Sequence, residues 1–344
     1  MLVAAIGIVG ALALLLGPFA QWATVAITDL KGKEKADAVN ATRQTLLAAA
    51  GGTFALIGIG FTARTYYLSR RGQFTDRYTK AIDQLASEKT TERLGGIYAL
   101  EHLMTESERD HTTVVEVLAA FIREQTHTGQ GMFPQPEHIH QGPQPAYRTL
   151  AIDVQAALTA LGRRPQRPER NPVNLSSADL CGADLANLRL DRADLWGTKL
   201  RDSIMHNVQL RGANLSYAQL QDSRLGGAQL QGAHFFRARM QEVTLDHAQL
   251  QDANLRQAQL QDSNLHDANL QGAKLNETNL QGANLSNRAS GQPAPVHGLT
   301  AEQLVHAVLD DKTQLPAALH GELLQRQRQQ LYDALVRYHR RLSE

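Results

Sequence analysis

Residues able to do chemistry are few and scattered. Cys181 is the only cysteine in 344 residues, which excludes an intramolecular disulfide framework and a Cys-based structural zinc site. No histidine stands near it in sequence, and a reactive thiol needs a neighbour that lowers its pKa, so it reads as inert. His127, His138 and His140 stand with Glu137 in one tract, and imidazoles suit zinc or copper. That tract, 126–148, is rich in Pro, Gly and Gln and offers no second shell to orient ligands, so solvated histidines are expected. No G-x-x-x-x-G-K-[ST], G-x-G-x-x-G, H-E-x-x-H or G-x-S-x-G occurs. No catalytic residue, metal or cofactor is expected. Thirty-five basic against 34 acidic residues give a net charge of +1, too balanced for a chain that coats nucleic acid. Aromatic content is only 5%, so something other than aromatic packing must fill the interior.

The N-terminal third has membrane character. Residues 1–28 carry no charge, and 44–63 (QTLLAAAGGTFALIGIGFTA) are uncharged between Arg43 and Arg64. About 20 apolar residues cross a ~30 Å hydrocarbon core, so each stretch is long enough to span. The first lacks the basic start of a cleaved signal peptide. Arg64, Arg70, Arg71, Arg77 and Lys80 follow the second span, opposed only by Asp76. That flank is expected in the cytoplasm, making the chain a two-span protein of the cytoplasmic membrane with both termini inside. The lipid bilayer is then its first partner.

The spacing divides the chain into 1–63 (spans and loop), 64–125 (helical module), 126–148 (linker), 149–172 (capping helix and connector), 173–287 (repeats) and 288–344 (C-terminal helices). Within 74–125, stripes such as Val114, Val117, Leu118, Phe121 and Ile122 predict three short helices, broken near 87–91 and 105–110. They read as a juxtamembrane bundle or as a single HEAT-like unit that docks a partner helix. Gly95–Gly96 would let the second helix approach a neighbour closely.

From 173 to 287 an apolar residue recurs every fifth position for 23 units, as at Leu180, Leu185, Leu195, Leu215, Phe235 and Leu255. Two positions earlier the residue is small or β-branched, with Leu188 the one bulky case. On an α-helix a five-residue step turns about 500°, spraying the leucines around the axis. On a flat strand an odd step alternates faces. A chain that turns a corner once per unit buries them all, with coils stacked about 4.8 Å apart.

The runs SADLCGADLANL, RADLWGTKL, GANLSYAQL and QGANLSN resemble the A-(D/N)-L-x-x signature of pentapeptide-repeat proteins. The resemblance implies an all-β solenoid, a right-handed quadrilateral β-helix with four units per coil. The segment from Asp76 to Glu124 is also similar to the helical region preceding such repeats in membrane-anchored bacterial, especially actinobacterial, members. A 20-residue coil stacks Phe235 between Leu215 and Leu255, keeping the bulky exceptions inside. It aligns Trp196, Ser216 and Phe236 outside, with Tyr217 beside Ser216, as a candidate partner-binding face. Another outer column joins Asp202, Asp222, Glu242 and Asp262, with Gln221, Gln241, Gln261 and Gln281 alongside as a potential hydrogen-bonded ladder. Some family members bind DNA gyrase by resembling DNA, and this column has that form. The repeats nevertheless hold 12 acidic against 10 basic residues, so a solvated charged face is the simpler reading.

Open solenoid ends must be closed. A helix over 149–164 is placed for the start. Residues 300–309 predict a short helix over the last coil, and 319–342 an amphipathic helix suited to packing on the solenoid or to homo-oligomer formation. The function expected is a membrane-held, non-enzymatic scaffold for an unknown protein partner, without nucleic acid. A DNA-mimicking modulator of gyrase is the alternative.

Overall fold

The computed structural model describes residues 32–126, 150–286, 298–316, 319, 321 and 322. The first expected span, the histidines at 127, 138 and 140, and nearly all of the 319–342 helix lie outside them. The chain divides into two compact units after Asp76.

Helix α1 (Lys33–Leu85) begins in the first unit, ends in the second and runs unbroken through position 63, where a boundary was expected. Nothing in 64–76 is a strong breaker: the stretch has no proline and includes three arginines, which are good helix formers. Its stretch Ala36–Tyr67 is the one helix among the described residues long and apolar enough to cross a membrane. Leu56 and Phe61 are each 71% exposed. Thr53, Thr62 and Thr65 return their hydroxyls to the carbonyl four residues back, so these three hydroxyls are satisfied within the helix.

After the last turns of α1, the second unit continues with α2 (Thr90–Glu106), α3 (His111–Thr126) and α4 (Ile152–Arg163). The breaks at 87–91 and 105–110 fall where expected. All three helices pack against one another, so the capping helix belongs to the helical module instead of standing apart from it. Gly96 makes the close approach: a Cβ there would lie 2.7 Å from Ala81 O and 2.8 Å from Leu85 N. Arg93 Nε donates to Asp153 Oδ2 at 2.6 Å, joining α2 to α4. Arg167 donates to the carbonyls of Met104, Thr105 and Ser107, closing the C-terminus of α2.

The repeats form a ladder of parallel bridges, each joining residues 20 apart: Asn174↔Asp194, Asp179↔Lys199, Asp184↔Ile204 and Arg189↔Gln209. Four bridges per coil make four sides. Each rung closes with two backbone bonds, as in Leu175 N to Asp194 O at 2.8 Å and Asp194 N to Val173 O at 2.9 Å. Leu180, Leu185, Leu195, Leu215, Phe235 and Leu255 are all fully buried, as the period requires. Buried hydroxyls at Ser203, Ser223 and Ser263 donate to the carbonyl three residues back, so polar residues enter the core without orphaned donors.

Helix α4 closes two sides of the first coil. The Gln155 side-chain amide donates to Asp184 O at 2.6 Å and accepts from Asp184 N at 2.9 Å, replacing a bridge partner on the third side. On the fourth, Arg189 N donates to Gly162 O and Arg164 to Arg189 O. Leu188 now has its reason: it lies beneath Gly162, where a Cβ would come within 2.6 Å of it.

The C-terminal end differs from expectation. Helix α5 (Ala301–Leu304) is one turn long, and the chain then re-enters the ladder instead of remaining helical to 309. Val308 pairs with Asn279 and Gln314 with Asn284. Ala307-Val308-Leu309 and Thr313-Gln314-Leu315 therefore supply two more sides, with Asp310 as an extra residue before the turn at 311–312. Gln303 Nε2 donates to Leu270 O and Ala273 O, both at 2.9 Å, holding α5 over the rim.

Two outcomes follow for stability. Gly162→Ala destabilises the protein by about 1–3 kcal/mol through overpacking, and adding Leu188→Ala restores much of that loss, measured by urea unfolding followed by circular dichroism. Glu169 is the second test. Burial alone would raise its pKa, but the bonded Arg164, with His111, holds it below the ordinary 4.5. A carboxylate depressed on folding stabilises above its unfolded pKa and loses that contribution as pH falls through the folded value. Glu169→Gln therefore flattens the pH dependence of the unfolding midpoint below pH 4.5, relative to wild type.

Candidate interaction surface of the repeat domain

At the corners, the second turn residue of each unit takes a positive φ, from Ser177 (60°) through Gly282 (68°). Gly, Asn and Asp accept that conformation most readily. Tyr217 (61°) and Arg237 (56°) adopt it as well, despite the steric penalty for bulky side chains.

These two residues lie on the aromatic corner. Trp196, Tyr217 and Phe236 come from three successive coils and are brought together as the spacing predicts. Tyr217 contacts both of the others, with ring centroids 5.9 Å from Trp196 and 5.7 Å from Phe236, the latter edge-to-face. Ser216, small and half-buried between the outer two rings, leaves room for Tyr217 to lie across. All three rings remain half-exposed with the described helices in place. Arg237 lies 5.2 Å over the Phe236 ring and donates to Gln257 Oε1, which in turn donates through Nε2 to Glu277 Oε2, each at 2.6 Å. Position 237 carries a signal that sequence reading passed over: its arginine extends the aromatic line as a cation and polar string across further coils.

The acidic column also forms, at positive-φ corner positions: Asp202, Asp222, Glu242 and Asp262 have φ of 58°, 61°, 57° and 55°. The turn itself is therefore sufficient reason for an aspartate there. Burial and the Asp202 charge raise the Asp222 carboxyl above its ordinary 3.8, while Arg201 opposes them. The glutamine ladder does not form as expected. The Oε1 atoms of Gln221, Gln241 and Gln261 are buried without a protein partner, and Gln241 Nε2 donates sideways to Gln259 Oε1 at 2.6 Å. The sideways bond uses the nearer flat side of the adjacent coil. Cys181 is inert on this geometry: burial foremost, with Asp179, pushes its thiol up to about 12. Among the described residues no three His, Cys, Asp or Glu side chains converge as metal ligands.

A four-sided, leucine-filled coil with a one-residue bridge on each side defines the class of protein. The family profile described as pentapeptide repeats matches eight copies, over residues 173–207, 213–250 and 248–287. The chain thus carries a pentapeptide-repeat domain, whose fold is a right-handed β-helix. Among solved structures, it is similar to the pentapeptide repeat protein Rfr23 from the cyanobacterium Cyanothece 51142, with 29% identity over 30% of this chain and 63% of that one, TM-score 0.24. HetL, a pentapeptide repeat protein involved in heterocyst differentiation regulation in Nostoc sp. strain PCC 7120, is 26% identical over 42% of this chain and 81% of its own, TM-score 0.17. QnrB1, a plasmid-mediated fluoroquinolone resistance protein, is 18% identical over 42% and 71%, TM-score 0.34. No curated protein matches the sequence.

The acidic column yields a direct test. A carboxylate with a raised folded pKa opposes folding when ionised, and the opposition vanishes below its unfolded pKa. Asp222→Asn therefore raises stability at pH 7 by no more than about 0.5 kcal/mol, and the gain disappears at pH 3 in thermal unfolding.

Proposed function

We propose that the protein is a membrane-anchored, non-enzymatic scaffold that holds a protein partner at the cytoplasmic face through the Trp196–Tyr217–Phe236 corner. One observation carries this reading: three aromatic rings from three coils stand in one contiguous, half-exposed line, with Tyr217 kept in a conformation that a glycine or asparagine would adopt more easily. Exposed aromatic clusters flanked by arginine have the composition of interaction hot spots. Anchoring is supported by the apolar stretch Ala36–Tyr67 with its internally bonded threonines. The Arg70, Arg71 and Arg77 flank sets the orientation, and we assign the other span to the uncharged residues 1–28 on their composition alone. The helical module and a self-associating C-terminal helix are further contacts of the same scaffold.

A second reading, modulation of DNA gyrase, draws on the aligned carboxylates of Asp202, Asp222, Glu242 and Asp262. It is the weaker, because Arg201 sits beside Asp222 and breaks the continuity of negative charge. It requires salt-sensitive gyrase binding that is lost on neutralising the four carboxylates.

The experiment is in-membrane crosslinking with mass spectrometry, comparing wild type with Trp196→Arg/Phe236→Arg. Both positions lie outside the core, so the double variant keeps its far-UV circular dichroism. A partner crosslinked through this corner in wild type is lost in the variant. Identical capture by both proteins overturns the aromatic docking surface.

A further inference from the structure

On the diagonally opposite corner, the unit 223–227 is the one unit of 173–287 whose two turn residues are both glycine. Its column runs His206, Gly226, Asp246, and the neighbouring column Asn207, Gly227, His247. Coils are about 4.8 Å apart, so His206 and Asp246 arise from backbones about 9.6 Å apart. Both side chains lean into the volume that Gly226 leaves open. A Cβ at 226 would lie 3.2 Å from His206 Nδ1, and 3.0 and 3.3 Å from the Asp246 carboxylate oxygens. Asn207 Oδ1 overhangs Gly227 in the same manner, because its Nδ2 is turned away toward Asn187 Oδ1 at 3.4 Å. Gly226 is buried beneath these groups while Gly227 is half-exposed, so solvent reaches the notch from one side.

The chemistry of this group is one-sided. A carboxylate and an amide oxygen only accept hydrogen bonds, and imidazole Nδ1 accepts when it holds its lone pair. Among the described residues, the side chains of His206 and Asp246 make no hydrogen bond or ion pair. Arg224, exposed on the flat side of the same unit, makes no ion pair with Asp246. Acceptors gathered without a donor call for a cation.

We propose that the Gly226–Gly227 notch binds one divalent transition-metal ion, with His206 Nδ1, Asn207 Oδ1 and the Asp246 carboxylate as protein donors and water completing the shell. Metal bonds of about 2.0–2.2 Å to imidazole and carboxylate bridge the two side chains after small rotations. The imidazole selects zinc-like ions over magnesium or calcium. The ion staples the second coil of the repeats to the fourth across the third. Neighbouring histidines are committed elsewhere: His266 Nε2 stands 3.3 Å from Asp267 and its Nδ1 3.1 Å from Ser286 Oγ. One of the three proposed donors is an amide oxygen beside Gly227, which is why the histidine and aspartate positions alone do not reveal the notch.

The test uses the full-length, untagged protein in detergent, titrated with Co²⁺ by visible absorption and then with competing Zn²⁺. Wild type takes up one equivalent in saturable fashion, and Zn²⁺ raises its thermal midpoint. His206→Ala and Asp246→Asn each weaken binding at least about tenfold and abolish the thermal rise. Gly226→Ala, which fills the notch, weakens it too with unchanged circular dichroism, whereas His247→Ala/His266→Ala binds as wild type. Absence of saturable binding overturns the proposal, as does binding unchanged in His206→Ala and Asp246→Asn or lost only in His138→Ala/His140→Ala.

Discussion

The repeat domain depends on one coincidence, that the residue each unit sends inward and the residue that pairs with the next coil are neighbours in sequence. Leu180 is fully buried while Asp179, one position earlier, bridges Lys199. A unit can therefore satisfy its hydrophobic side chain and its backbone only by stacking on another coil, and neither gain is available alone. Burying each leucine contributes about 1.5–3 kcal/mol, offset by the entropy of ordering five residues. The net gain per unit is small, and cooperation across coils makes the domain. The same requirement leaves the first and last coils incomplete, which accounts for the side-chain and helical contacts concentrated at both ends.

With core and ladder fixed by three residues in five, the two corner residues carry the individuality of the protein. They must tolerate a positive φ, and most units meet this with Gly, Asn or Asp. Tyr217 and Arg237 depart from that economy on one corner, and paired glycines depart from it on another. Both departures alter how side chains of different coils meet at a corner. The proposed partner contact and the proposed metal site are thus local exceptions to the same turn.

The period of five made the core residues and coil length readable, because a leucine at every fifth position has no other way to be buried throughout. The aromatic corner was readable for the same reason, its successive members being separated by 21 and 19 residues, one coil give or take a position. Leu188 stood out in the sequence, but its partner Gly162 lies 26 residues upstream in a helix, and no periodic rule connects them. The two late sides at 307–315 were hidden by the break in the period after 286 and by the extra Asp310, although A-V-L and T-Q-L keep the small-x-Leu pattern. The boundary placed at 63 followed the change from apolar to basic residues, whereas helix α1 responds only to backbone propensity and continues. His206, Gly226 and Asp246 are each ordinary corner residues, and only their vertical order gives them a joint chemistry.

The use of the Gln155 amide as a surrogate rung bears on self-assembly. A parallel solenoid presents at its first coil the same edge that it offers at every internal interface, so identical molecules would template end-to-end growth into a filament. Polymerisation of that kind requires all four sides to pair in register. Gln155 on the third side and Gly162 with Arg164 on the fourth already occupy half of the required positions. One helix thereby makes the domain finite in length, and the chain can be produced at high local density without nucleating fibres from its own edge.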